Sequence, residues 1–197
     1  MKIVYLIGET EVDEILKQTQ TESVRVVPVP CADWERDLSP WKAEKVFRNG
    51  SDFSGGADAF SELLISKVMP EAESGGTDIQ RYIAGYSLAG LFAVYAAVKT
   101  GLFDGFASMS GSMWFDGFCE YLEAQKLPDR LRTAYFSVGK SEKHTKNPRM
   151  REVEACTLRT ADFMRESGIK TVFELNEGGH FDNVNERIIK GILAVTQ

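Results

Sequence analysis

Short apolar runs alternate along this chain with longer segments in which apolar residues recur every three or four positions. The short runs, at residues 2–7, 23–29, 81–84, 105–109, 133–138 and 171–175, predict six strands. The first two are nearly unbroken in apolar residues, as expected of strands covered on both faces. The helix-period segments lie near 11–19, 56–69, 88–99, 117–125, 148–167 and 182–195. Strand and helix alternate throughout, which predicts the α/β class: a mostly parallel six-stranded sheet with helices on both faces.

Local punctuation fits these elements. Gly101 after Thr100 reads as the residue that ends the helix 88–99. Pro148 suits the first turn of the helix 148–167, which Gly168 then stops. Asp182 is placed to cap the last helix. The Gly-rich stretches Ser54-Gly55-Gly56 and Ser74-Gly75-Gly76-Thr77 read as loops rather than linkers, so residues 1–197 are expected to form one domain.

Composition narrows the function classes. The chain is 43% hydrophobic and 26% charged, ordinary values for a globular protein. Its net charge of −6, with no run of Lys and Arg, argues against a nucleic-acid partner. Cys31, Cys119 and Cys156 have neither metal-ligand nor redox spacing, so no metal is expected and a reduced compartment is. The apolar run after Lys2 is too short for a signal peptide, and no segment approaches a membrane span, so a cytoplasmic protein without a membrane partner is expected. No G-x-G-x-x-G or phosphate-binding loop follows the first strand, so no nucleotide cofactor is expected and a chance pattern on a flavodoxin-like or Rossmann domain is disfavoured.

The chemistry concentrates in Tyr82-Ile83-Ala84-Gly85-Tyr86-Ser87-Leu88-Ala89-Gly90. A strand stops at Gly85 and a helix starts at Leu88, leaving Ser87 in a very sharp turn. Such a turn tolerates only small neighbours where the two backbones cross, and Gly85, Ala89 and Gly90 supply them. The turn would push the Ser87 hydroxyl out at the end of the sheet, at the positive end of a helix, as in the nucleophile elbow of α/β-hydrolases.

A serine nucleophile needs a base and an orienting acid. His180 lies between the last strand and the last helix, where a C-terminal base belongs when the chain order is Ser, acid, His. His144 sits in the polar stretch 140–146 and reads as a solvated loop residue. The acid is expected after the penultimate strand, and Glu142 is the only carboxylate within the next several residues there. Glu177 and Asp182 are nearer His180 in sequence; solvation and helix capping are their expected roles, with Asp182 the next candidate acid.

Further segments carry a family resemblance. The stretch from Gly85 to Ala93 resembles the elbow of the esterase D and enterobactin-esterase-like branch of the α/β-hydrolases. Arg36-Asp37-Leu38-Ser39-Pro40-Trp41 and Gly55-Gly56-Ala57-Asp58-Ala59-Phe60 are similar to two of its loops. Ser110-Gly111-Ser112-Met113-Trp114 and Gly179-His180-Phe181 resemble its post-strand and histidine loops, in the same order. The resemblance implies an ester hydrolase with a Ser87–His180–Glu142 triad, in a minimal form of the fold whose first strand corresponds to the usual third. It departs from the family pattern at Ala89, where Gly is usual, and at Ile7-Gly8, where His-Gly or Asp-Gly is usual. The segment 114–133 leaves no room for a large lid.

The expected reaction is attack of Ser87 on an ester carbonyl, with an acyl-enzyme then hydrolysed by water. One oxyanion donor would be the backbone N–H of Leu88, the other that of Glu9 or Thr10. Trp34, Arg36, Trp41, Trp114 and Phe115 fall in loops at the ligand-binding end of the sheet. Trp34 and Trp114 are candidate aromatic walls, and Arg36 either pairs with an anionic substrate group or links to Asp37. An acyltransferase on the same fold, and a non-catalytic protein that keeps the fold, are the alternatives.

Overall fold

The computed structural model describes residues 1–9 and 12–197. In chain order the elements are β1 (Lys2–Ile7), α1 (Asp13–Thr19), β2 (Val24–Val29), α2 (Trp34–Asp37), β3 (Lys42–Ala43), β4 (Phe53–Ser54), α3 (Ala57–Leu63), α4 (Met69–Ala72) and β5 (Gln80–Tyr86). They continue with α5 (Leu88–Thr100), β6 (Gly105–Met109), α6 (Phe118–Glu123), β7 (Thr133–Gly139), α7 (Val153–Glu166), β8 (Lys170–Asn176) and α8 (Val184–Thr196). Six strands form one parallel sheet in the order β2-β1-β5-β6-β7-β8.

The apolar runs become strands because the pleat sends alternate residues into two separate cores. Ile3, Tyr5 and Ile7 enter one, beneath α3, α5 and α7; Val4 and Leu6 enter the other, beneath α1 and α8. Helix α5 is buried from Leu88 through Val98. No helix among the described residues is long and apolar enough to cross a membrane.

The topology creates a crevice. From β1 the chain proceeds to β2 on one side, and from β5 it proceeds to β6 on the other. Strands β1 and β5 are neighbours, so the loops leaving their C-terminal ends diverge, the arrangement in which open α/β sheets bind ligands.

Several details differ from the pattern reading. The helix expected near 56–69 runs from Ala57 to Ala72 with a π-helical turn at Leu64–Val68. That turn falls ahead of Pro70, which has no N–H to give to the preceding turn. Pro148 does not open α7. The Asn147 side-chain oxygen accepts the N–H groups of Arg149 and Met150, a 3₁₀ turn follows at Met150–Glu152, and α7 begins at Val153. Asp182 does not cap α8: its carboxylate accepts the Gly179 N–H at 2.7 Å, and the residue before α8 is Asn183. A short antiparallel hairpin, β3–β4, is an element the periodicity did not reveal, because each strand has only two residues.

Candidate active site

The site is built around Ser87, between β5 and α5. Its backbone has φ 57° and ψ −123°, a region that non-glycine residues rarely occupy. The turn is held from both sides: the Ser87 N–H donates to the Met109 carbonyl, and the Ser87 carbonyl accepts the Ser112 N–H, each at 3.0 Å. A Cβ on Gly90 would stand 2.8 Å from Ser108 Oγ and 3.0 Å from Gly111 Cα, so the helix reaches the sheet this closely only because residue 90 lacks a side chain.

Three segments distant in sequence meet at the serine. His180 Nε2 lies 3.0 Å from Ser87 Oγ, and His180 Nδ1 lies 2.8 Å from Glu142 Oε2. A carboxylate only accepts, so Nδ1 carries the proton and Nε2 is left to accept from the serine hydroxyl. The Glu142 side chain is 4% exposed and that of His180 is 26% exposed. Burial pushes the Glu142 carboxyl up, but hydrogen bonds from His180, Ser110 and the Gly139 N–H overcome it and hold the group below its ordinary value. Glu142 Oε1 accepts from Ser110 Oγ at 2.7 Å and from the Gly139 N–H at 2.6 Å. The His180 loop is anchored by Tyr86, whose hydroxyl donates to the His180 carbonyl at 2.7 Å. Glu177 does not meet His180; it pairs with Lys140.

Ser87 opens into a cleft of about 760 Å³. Leu88 and Glu9 line it beside the serine, and Trp34, Phe47, Phe53, Trp114, Met150 and Phe181 supply apolar walls. As the first residue of α5, Leu88 has a backbone N–H with no partner within the helix. Burial raises the Glu9 carboxyl above its ordinary range. Thr10 lies outside the described residues.

Trp34 and Trp114 thus enter the cleft, but Arg36 does not. Its guanidinium pairs with Asp37 at 2.7 Å and Asp33 at 3.8 Å, which is the structural link rather than a place facing substrate. Trp41 packs against Phe115, Phe118 and Tyr121 and donates to the Asp116 carbonyl. His144 is exposed, as its polar setting implies, yet it stands on the rim of the cleft. No cluster of His, Cys, Asp or Glu among the described residues could hold a metal ion.

Pattern reading missed several groups here. The loop of the β3–β4 hairpin brings Lys45, Val46, Phe47, Gly50 and Ser51 over the cleft. Asn147 Nδ2 and Arg149 Nη1 hold that loop by donating to the Val46 and Glu44 carbonyls. Tyr86 and Ser110 were visible only as neighbours of turn residues. Arg187 carried a usable signal: it falls on the buried stripe of α8 with Ile188, Gly191, Ile192 and Val195.

Over residues 6–182 the chain matches the family model described as "Putative esterase". Among curated proteins it is similar to the uncharacterized protein YbbA of Bacillus subtilis (strain 168), at 23% identity over 137 residues, 67% of this chain. That match spans 55% of the relative's length. Among solved structures it is similar to the siderophore hydrolase EstB from Aspergillus nidulans, with a TM-score of 0.75 and 16% identity over 98% of this chain and 82% of that one. It is also similar to the enterobactin hydrolase IroE in complex with DFP, with a TM-score of 0.69 and 20% identity over 98% of this chain and 82% of that one. At such identities the likeness is one of fold. With its parallel six-stranded sheet in the α/β-hydrolase arrangement, the chain belongs to this esterase family.

Proposed function

We propose that this protein is a serine carboxylic-ester hydrolase. The observation that carries the reading is the continuous line of hydrogen bonds from Ser87 Oγ to His180 Nε2 and from His180 Nδ1 to Glu142 Oε2. His180 takes the Ser87 proton as Oγ attacks the ester carbonyl. Glu142 keeps the imidazole in the required tautomer and offsets the charge it gains. The carbonyl oxygen becomes an oxyanion facing the Leu88 N–H, with the backbone of Glu9 or Thr10 as the second donor; such a donor contributes about 10²–10³ in rate. His180 returns the proton to the departing alkoxide, releasing the alcohol and leaving the acyl-enzyme. It then deprotonates a water that attacks the acyl carbonyl, and collapse of that intermediate restores Ser87 and frees the acid.

Substrate breadth follows from the walls. A cleft of about 760 Å³ with Trp34 and Trp114 suits a small or medium ester carrying a flat apolar group. DFP is an organophosphate that phosphorylates activated serines, so the IroE complex supports testing this chain with the same chemistry. The three free thiols suit a reducing cytoplasm.

The test is a fluorophosphonate probe followed by peptide mapping, alongside hydrolysis of short p-nitrophenyl esters. An adduct on Ser87 that disappears in Ser87→Ala and forms far more slowly in His180→Ala supports the reading. An unlabelled protein that hydrolyses none of the esters overturns it.

A further inference from the structure

Among the described residues Arg187 is the largest fully buried side chain, a cation 2% exposed, one turn into α8. A buried guanidinium is costly unless its donors are used. Here Nη1 donates to Tyr86 Oη and Ser110 Oγ at 3.1 Å each and to Glu142 Oε1 at 3.3 Å, and Nη2 donates to the Glu177 carbonyl at 2.8 Å. These four partners come from four loops or strand ends that surround the reaction centre. Glu142 is the acid, Ser110 also donates to it, Tyr86 holds the His180 carbonyl, and Glu177 begins the histidine loop.

Gly139 provides an independent sign that this convergence is built in. A Cβ there would stand 3.0 Å from Arg187 Nη2, 3.0 Å from Glu142 Oε1 and 2.6 Å from the Gly178 carbonyl. Residue 139 is bare at the one place where the acid loop, the histidine loop and the arginine crowd together.

We propose that Arg187 is a positioning residue: its planar fork fixes the acid loop and the histidine loop relative to each other, so that Glu142 and His180 meet at Ser87. This rests on the triad reading above. The geometry makes specific demands on the side chain. A lysine keeps the charge but, as a single point donor, cannot bridge Nη1's cluster and the Glu177 carbonyl together. Arg187 does not itself line the cleft and reaches it only through Tyr86 and Glu142, which hold the histidine and its carboxylate, so its loss acts on turnover rather than on ground-state binding.

The experiment is a double-mutant cycle read in kcat and KM on a p-nitrophenyl ester, with fluorophosphonate labelling of Ser87 in the wild type as its first arm. Arg187→Met is expected to lower kcat about 100-fold with KM within about twofold of wild type. In a Glu142→Gln background the same change is expected to cost less than about threefold, because the group it positions has already been disabled. Where Arg187→Met does not accumulate as folded protein, Arg187→Lys carries the test. It is expected to lose about tenfold in kcat at unchanged KM, again with the loss disappearing in Glu142→Gln. A labelled wild type whose Arg187 variants turn over normally, lose KM instead of kcat, or combine additively with Glu142→Gln overturns this inference and leaves the triad standing. A wild type that neither labels nor hydrolyses overturns the triad reading and this inference with it.

Discussion

A Cβ on Gly85 would stand 2.9 Å from the Cβ of Ala89 and closer still to the Ala89 carbonyl. The strand and the helix of the elbow cross at this pair. Residue 89 can carry a methyl group because residue 85 carries nothing. The family-pattern departure at Ala89 is therefore compensated one turn away. Gly85→Ala should destabilise the fold by about 3 kcal/mol, since backbone must move to admit the methyl. Ala89→Gly introduces no clash and should cost only about 1 kcal/mol in helix propensity. Urea denaturation of the two variants checks the asymmetry.

Two carboxylates beside the histidine loop have different partners. Glu142 Oε2 meets His180 Nδ1, whereas Asp182 binds the Gly179 N–H. Glu142→Gln should lower kcat by about 10³-fold or more with little change in KM. Asp182→Asn should stay within about threefold of wild type. Steady-state kinetics on one activated ester separates them, and a reversed ranking would reassign the acid.

Two cleft carboxyls should also give opposite pH signatures. The folded-state value of Glu142 lies below the ordinary 4.5, with its hydrogen bonds outweighing burial. Its stabilising contribution is complete above 4.5 and is lost as pH falls through the lower folded value. Glu9 is raised by burial, so its charge opposes folding above its folded value and not below 4.5. Thermal melts across pH 3–8 should show Glu142→Gln less stable than wild type near neutrality, the gap closing in acid. Glu9→Gln should be more stable than wild type near neutrality, and its gap should also close in acid. A Glu9→Gln protein that melts below wild type at pH 7 would contradict the burial argument.

Phe181 is 86% exposed and stands on the cleft wall, with its ring centroid 5.0 Å from that of His180. It adds nothing to the core, so an apolar acyl chain is the partner available to it. Phe181→Ala should leave Tm within about 1 °C while lowering kcat/KM about tenfold on p-nitrophenyl hexanoate and far less on the acetate. Equal losses on both esters would assign Phe181 to the histidine instead of to substrate.

Arg36 provides the contrasting case. Its exposed guanidinium pairs with Asp33 and Asp37 away from the cleft. Arg36→Ala should show wild-type kcat/KM on neutral and anionic esters alike. A selective loss on the anionic ester would return Arg36 to the substrate.

The six strands, the α/β class and the placement of Ser87, Glu142 and His180 in their loops were legible because each rests on local chemistry. Period-two and period-3.6 patterning fixes which residues face a core, and small residues at 85, 89 and 90 mark a tight crossing. Helix starts were less legible. The Asn147 side chain, rather than Pro148, opens the turn that leads into α7, and Asp182 is drawn to the Gly179 N–H, which leaves Asn183 before α8 with no side-chain cap. Arg36 and Trp41 looked equivalent to Trp34 and Trp114 along the chain; only the direction each loop takes in space sent one pair into the cleft and the other away.

By itself the sequence determined the layered sheet, the sharp serine turn, and the placement of Ser87, Glu142 and His180 in successive loops after strands, because these follow from residue type and spacing within short windows. Only the tertiary structure decided that Glu142 rather than Asp182 meets His180, that the β3–β4 loop roofs the cleft, and that Arg187 joins Tyr86, Ser110, Glu142 and Glu177. Those relationships join residues up to about a hundred positions apart, such as Arg187 and Tyr86. They arise when parallel strands bring their loop ends to one edge of the sheet, a convergence that no local pattern encodes.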